Sequence, residues 1–541
     1  MHRLTPGCRL LPFSRNVFVH IRDSICMVSQ EFFGSTPSTD GPVVKNGLCV
    51  ICKGSRNLCG RGRCPLMTRF YSSRPAMPEI PTKNVGGSSP PSVFVGRYGY
   101  PKVDIGPLLP QEYGDTSLLD MPERWVGRSQ AAIVDMRYRL VRGKYRIDAK
   151  DFQKAGRIVD SVQELAMTEK PVDVETNFAN KPKGRPVLDD TVEPFGPSAR
   201  MENMVVSNGR FERSLERSFY DTDMRATDAV IASYRSGTRV TEIEKAFSVG
   251  TMGTGRNRRF VPTRWSITAV DDIISKDLAE RVKHYETIDK YRVYFWNQLD
   301  NRWAILMMPC SWRFEMMEAW YPRSSWNQSS SHIDFEVDHE DYGGRSKYAV
   351  MGGSYYAARL AVCEMLERER RSAGVVVMRE IHPGYDIPLG VWNIRENART
   401  ALIYDPVESD TLEGLWPHMD AYMDIGHDEW RTRSELLKEW RVQRRLDEFY
   451  RGPWQMWKRP GRRAPGGKMF QSSNRAVERY LSPVSAKIAT MFFPAYASSF
   501  ASCMAAVSAA PEDIPTRNPS FFPTKRPLAK ASASSTAMTR S

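Results

Sequence analysis

The sequence predicts a mixed α/β (α+β) globular body with a small N-terminal four-cysteine zinc module and disordered ends. Three observations predict it. Apolar runs of strand length alternate with stretches of helical period between residues 93 and 450. Four of the nine cysteines fall within residues 49–64. Both ends differ in composition from the middle. Residues 1–44 carry a broken apolar pattern, and past 450 the chain turns first basic and then rich in Ala, Ser, Pro and Thr.

In chain order, an extension over 1–44 precedes the cysteine module at 45–66. Residues 67–92 read as a linker because Ser, Pro and Gly dominate 73–92. Val93–Val95 and Val103–Leu109 are strand candidates. Residues 127–169 read as largely helical with polar breaks, and 170–205 as a long irregular connection rich in Pro and Gly. Phe211–Tyr234 reads as helix with a break near Asp221. Thr268 with Asp271 has the capping-box spacing, which starts a helix near Ile267 running towards Tyr285. Tyr291–Trp296, Trp303–Met308 and Trp312–Met317 are strands, the first two joined by a turn over Asn297–Asn301. Ser354–Arg370 is a helix by the spacing of Tyr356, Leu360 and Cys363, and Val375–Met378 a buried strand. Glu429–Tyr450 reads as one long charged helix. The body divides into 93–275 and 276–450, and 451–541 is a disordered tail, six of whose first eighteen side chains are basic and none acidic.

The totals narrow the function. A chain of 541 residues has room for several domains and real cores. A net charge of +14 favours an acidic partner, with nucleic acid ahead of a membrane surface. No run of eighteen apolar residues occurs, so no membrane segment is expected. Arg3, Arg9, Arg15 and Arg22 interrupt the first thirty residues, so no secretory signal is read there. Clustered rather than paired cysteines point to a reducing compartment. The expected location is cytoplasmic and nucleoid-associated.

Four constellations could carry chemistry. Cys49, Cys52, Cys59 and Cys64 can close a tetrahedral, structural zinc site, with Gly54, Gly60 and Gly62 for the turns and Lys53, Arg56, Arg61 and Arg63 offsetting the thiolate charge. An iron–sulfur cluster or uncoordinated thiols are the alternatives. Val249–Asp272 packs Gly250, Gly253 and Gly255 against Arg256, Arg258, Arg259 and Arg264. Exposed amides and guanidinium forks suit phosphate or DNA, although the spacing is no standard nucleotide motif. The alternative is a structural hairpin whose arginines pair with nearby acids. Gln443, Leu446, Phe449 and Tyr450 match the short peptide with which replication and repair proteins dock on the ring-shaped sliding clamp (PCNA). Val442, Leu446, Phe449 and Tyr450 also have the spacing of a core-facing helix. His332, Asp334, Glu336 and Asp338 share one face of a strand, continued by His339, Glu340 and Asp341. They could hold a divalent metal ion, as could Glu315 and Glu318, but a solvated strand face is the simpler reading. Tyr98, Tyr100, Trp125, Trp265, Trp296 and Trp303 lie near basic residues and could stack unpaired bases or fill a core.

With these residues in view, the chain resembles the archaeal Nre family of DNA repair proteins. The resemblance is carried by CVICKGSRNLCGRGRC at 49–64, FVGRYGYP at 94–101, RSLERSFYDTDMRATDAVIASYRSG at 213–237, VPTRWSITAVDD at 261–272, MGGSYYAARLAVCEMLERER at 351–370 and REIHPGYDIPLGVWNIRENAR at 379–399. It implies a cysteine-rich metal finger on Cys49, Cys52, Cys59 and Cys64, a role in DNA repair, and a clamp-binding peptide at Gln443, Leu446, Phe449 and Tyr450. Here a long tail follows that peptide, whereas the family's peptide closes the chain. The resemblance supplies no catalytic residue. Two functions remain in view. One is a DNA-binding repair factor recruited by the clamp. The other is a metal- or nucleotide-dependent enzyme acting on DNA, with the 250–264 loop on phosphate.

Overall fold

The computed structural model of the chain describes residues 47–442 apart from 57, 61–63, 65, 68–78, 152–155, 185–187 and 328. Two six-stranded mixed sheets flank a run of helices in chain order. The mixed α/β expectation holds.

The first sheet has the order β1-β5-β6-β4-β3-β2. Its strands are β1 (Asn84–Ser89), β2 (Val93–Val95), β3 (Lys102–Leu109), β4 (Val141–Asp148), β5 (Val172–Phe178) and β6 (Ser198–Val206). All neighbours are antiparallel except β4 and β6. In β5, Val172, Val174, Thr176 and Phe178 turn inward while Asp173, Glu175 and Asn177 face out. The helix α3 (Arg157–Met167) lays Val159, Val162 and Leu165 on this sheet, and α2 (Gln130–Tyr138) precedes β4. Three expectations fail here. Residues 127–169 hold a strand between their helices. The stretch 170–205 contains β5 and most of β6, whose charged alternate positions dilute the apolar signal. The Ser/Gly composition of 84–89 conceals β1. Gly87 in that strand is required, because a Cβ there would fall 2.2 Å from the Pro110 carbonyl oxygen.

Four helices follow: α4 (Arg213–Tyr220), α5 (Ala226–Arg235), α6 (Val240–Ser248) and α7 (Thr263–Val282). The break near Asp221 falls where expected. The start of α7 does not. The helix begins at Thr263, four residues before the expected start, with Pro262 at its N-cap. Thr268 therefore lies inside the helix, and Asp271 is buried against Arg395 instead of capping anything.

The second sheet has the order β10-β9-β11-β8-β7-β12, from β7 (Tyr291–Gln298), β8 (Asn301–Met308), β9 (Arg313–Trp320), β10 (Asp334–Glu340), β11 (Gly374–Ile381) and β12 (Val407–Ser409). Leu299 and Asp300 take positive φ and close the β7–β8 hairpin. The apolar run of β11 is buried on both faces, as its continuity requires. Trp303, Ile305, Phe314, Met316 and Val377 join the main core with α7 and α8 (Gly353–Glu369). Ala304, Leu306, Met317, Val376 and Met378 face the opposite way. There they meet Met419, Trp430 and Leu436 from α10 (Trp416–Tyr422), α11 (His427–Arg433) and α12 (Glu435–Val442). The helix α9 (Trp392–Ala401) packs against α8. The expected single helix from Glu429 is broken at Ser434, between α11 and α12. Residues 443–450 lie outside the described residues, as do 1–46 and the tail.

Candidate nucleic-acid interface

The cysteine segment is joined to the body. Its helix α1 (Leu48–Cys52) brings Cys49 and Cys52 onto one turn, and Val50 enters the main core. Cys52 is buried; Cys49, Cys59 and Cys64 are half-buried. Gly54 and Gly60 turn the chain at positive φ. Lys53 does not serve the thiolates as a surface counter-charge. It is buried, with Nζ 2.9 Å from Glu336 and 3.4 Å from Glu318, over the Trp320 ring. Those two glutamates face each other across β9 and β10. Burial would lower the Lys53 ammonium, but Glu336 and Glu318 outweigh it and hold it above its ordinary value. Burial likewise favours neutral Glu318, yet Lys53 and Arg379 keep it below the usual carboxylate range. Arg379 donates to Glu318 at 2.8 Å. Lys53 thus pins the cysteine segment to the second sheet.

Beside that pin, four of the motif-bearing stretches meet. The first turn of α7 points Arg264 at Asp189 and Asp190, and its second nitrogen reaches Ser55 Oγ at 3.4 Å. Burial would lower Arg264, but Asp190 and Asp189 raise it further. Asp189 also anchors Arg97 at 3.4 Å, and Arg97 lies over the Tyr98 ring at 5.0 Å. Val95 N–H donates to Thr263 Oγ1 at 2.8 Å, tying β2 to the start of α7. The Tyr100 ring meets Trp265 at 5.2 Å between centroids. On the other side Arg56 donates to the Val350 carbonyl at 2.6 Å. The Tyr348 hydroxyl and the Arg56 guanidinium both lie beside Gly352. The outer face of this junction is aromatic: Tyr98 is 78% exposed, Tyr348 62% and Trp265 46%.

The other expected sites fall elsewhere. Gly250 takes positive φ just past the end of α6, and its N–H bonds back to Phe247. Gly253 packs against Ala226, and Gly255 donates its N–H to Thr222. Arg258 is buried, donating to the carbonyls of Gly253, Ser218 and Asp221. Arg259 is exposed; the Arg256 side chain is outside the described ones. Thus Arg264 pairs with acids, as the structural-hairpin alternative anticipates, whereas Arg258 is held by backbone carbonyls instead.

The acids of β10 are neither a solvated face nor an open metal site. Glu336, Asp338 and Glu340 turn inward, to Lys53, Arg345 and Arg359 respectively. Asp341 pairs with Arg313, and His332 lies 3.4 Å from Asp334. Glu315 accepts from Ser434 and from the Glu435 N–H at 2.8 Å, capping α12. Among the described residues, one metal-like grouping has its donor atoms within 4.8 Å of one another: Glu380, His382 and Asp424. Both Glu380 oxygens already accept backbone N–H groups, from Asp424 and Ile425. Trp125 and Trp303 are core residues at 0% exposure, and Trp296 is half-buried against Tyr404.

Two family profiles match this chain: Archaeal Nre, N-terminal, over residues 58–327, and Archaeal Nre, C-terminal, over 340–449. The chain belongs to the archaeal Nre family. It is 42% identical over 402 residues to DNA repair protein NreB of Archaeoglobus fulgidus, covering 74% of this chain and 99% of the relative. It is 35% identical over 386 residues to DNA repair protein NreA of the same organism, covering 71% and 95%. Identity to DNA repair protein NreA of Haloferax volcanii is 31% over 364 residues, covering 65% and 86%. No solved structure matches. Within this Nre-family chain, Asp189, Asp190, Arg97 and Tyr348 are junction residues that sequence reasoning missed, and Lys53 was given a different role, as a counter-charge to the thiolates. The adjacent aspartates sit in a stretch without periodicity, and Lys53 is overshadowed by its cysteine neighbours. No helix among the described residues is long and apolar enough to cross a membrane.

Proposed function

We propose that this chain is a DNA repair factor that binds DNA at the junction of the cysteine segment, the 96–101 turn and the start of α7, and that the sliding clamp (PCNA) recruits it. The observation that carries this reading is the exposed set of aromatic rings among arginines at that junction. The net charge of +14 and the relatives' names as DNA repair proteins support it. Gln443, Leu446, Phe449 and Tyr450 form the clamp-docking peptide. It begins directly after α12, which Glu315 caps and which Leu436 and Leu437 anchor. Cys49, Cys52, Cys59 and Cys64 hold a structural zinc ion. Four soft thiolates around turns at Gly54 and Gly60 suit that metal, and metal analysis of the purified chain reads its presence directly. Arg259, which is exposed, adds phosphate contacts.

The test has two arms. Binding to labelled DNA should weaken steeply as salt rises, because phosphate contacts release counterions. Replacing Phe449 and Tyr450 with Ala should abolish clamp binding and leave DNA binding intact. Absence of salt-dependent binding to any DNA would overturn the first half, and a folded double variant that still binds the clamp at full strength would overturn the second. The divalent-metal enzyme reading is less well supported, since Glu315, Glu318, Glu336, Asp338 and Glu340 among its candidate acids have internal partners.

A further inference from the structure

The exposed rings at the junction select among kinds of DNA. Tyr98 sits on the turn after β2, Trp265 on the first turn of α7, and Tyr348 in the loop before α8. None of the three is needed to fill a core at its degree of exposure. They are nevertheless held in place. Arg97 covers Tyr98 and is itself fixed by Asp189, and Trp265 leans on Tyr100. Tyr348 contacts Tyr356 at 5.4 Å between centroids. A preset aromatic surface loses little rotamer freedom when a ligand ring settles on it. Cations flank it. Arg56 is exposed on one side, and Arg146 packs against the turn at Gly99 on the other.

A surface of lysine and arginine alone would serve the phosphates of any DNA. Aromatic rings add something that intact duplex cannot use, because its base faces are covered by their neighbours. Unpaired bases have open faces and stack on aromatic side chains without regard to sequence. We infer that Tyr98, Trp265 and Tyr348 form a stacking ledge for the bases of an unpaired DNA segment, so that the substrate is single-stranded or forked DNA and not intact duplex. This inference rests on the proposed DNA-binding reading and specifies its substrate.

The experiment uses the full chain and three fluorescein-labelled probes of equal length at one salt concentration: an oligo(dT) strand, a fork with unpaired arms, and a blunt duplex. Binding is followed by anisotropy. The strand and the fork should bind at least about ten-fold more tightly than the duplex. Tyr98→Ala and Tyr348→Ala should each weaken strand binding by about five-fold or more and leave duplex binding unchanged. Tyr98→Phe keeps the ring and should keep the affinity. Thermal melting confirms that the exposed-site variants remain folded, and the tyrosine variants carry the test if Trp265→Ala does not. Equal binding of all three probes, or unchanged strand binding by folded ring variants, overturns the ledge and leaves DNA binding standing. Binding to none of the probes overturns the DNA-binding reading and the ledge with it.

Discussion

Two arginine-centred clusters in this chain use the same chemistry to different ends. Arg395, on α9, pairs with Glu244, Asp271 and Glu396, and its side chain is 1% exposed. Arg264, on α7, pairs with Asp189 and Asp190 and is 18% exposed. Each gathers two carboxylates from distant parts of the sequence. Around Arg395 the neighbours are α7, α6 and the main core, and Arg395 and its three carboxylate partners are all buried. Around Arg264 the network continues outward through Arg97 to Tyr98 and through Ser55 to the cysteine segment. Residue type does not separate a structural cluster from a surface able to bind something. What separates them is whether the network ends at an exposed aromatic ring.

The largest expected effect breaks the sealed cluster. Arg395→Ala leaves Glu244 and Asp271 as buried carboxylates without their cation, a change that costs about 3–5 kcal/mol. Thermal melting should show a large drop, or the variant should fail to accumulate in soluble form. Arg264→Ala should cost clearly less, because water can reach the stranded aspartates. Equal losses from the two would erase the distinction drawn between the clusters.

The Lys53 pin lies between these extremes: sealed like Arg395, yet carried by a surface segment. Lys53→Met keeps most of the volume and strands Glu336, while Glu318 retains Arg379. The cost should approach about 3 kcal/mol and be local. Trypsin should cut at Arg56 much faster than in the parent chain, with a smaller change in global melting. Adding Glu336→Gln should recover part of the loss, since the two sites are in direct contact. No recovery would mean that the pair is not what holds the segment.

Acid should act on the two buried sites in opposite directions. Glu318 is held below its ordinary value in the fold, so its contribution is fully present above about pH 4.5 and is lost as pH falls through the depressed value. Glu244 goes the other way. Burial raises it well above the usual range despite Arg395, with Asp271 adding to the rise. Its contribution is present at low pH and is lost as pH rises through the raised value. Lowering pH below about 4.5 should therefore loosen the cysteine segment, read by proteolysis at Arg56, before it weakens the Arg395 cluster. A segment that stays protected down to the pH of global unfolding would contradict this order.

These contrasts explain what the sequence made legible. Strands with unbroken or alternating apolar runs, such as β8, β11 and the hairpin at Leu299–Asp300, were readable because their signal is local. So was α8, whose spacing is local too. The strand β1 was not, since Gly87 is there for a close backbone approach made by residues 110–112. The acids of β10 were correctly placed on one face, but which way that face turns depends on Lys53, Arg345 and Arg359, brought from elsewhere in the chain. Likewise the row of arginines after Gly255 was visible. That Arg258 turns inward to three carbonyls was not, because the carbonyls belong to other segments.

The smallest expected effect tests the aromatic side of the comparison. Tyr98 and Trp303 both lie near an arginine, Tyr98 under Arg97 and Trp303 under Arg379 at 5.1 Å. Trp303 is fully buried in the main core, so Trp303→Ala should cost about 3–5 kcal/mol. Tyr98 is 78% exposed, and its cation–π contact with Arg97 lies in water, where such contacts contribute about 0.5–1 kcal/mol. Tyr98→Ala should therefore shift melting by little and leave Arg97 paired with Asp189. The ring's exposure is tolerated by the fold and does not support it, which is the condition under which an exposed tyrosine is available to a ligand. A loss above about 2 kcal/mol for Tyr98→Ala, outside the range of surface substitutions, would make the ring a packing residue and return the junction to the same class as the Arg395 cluster.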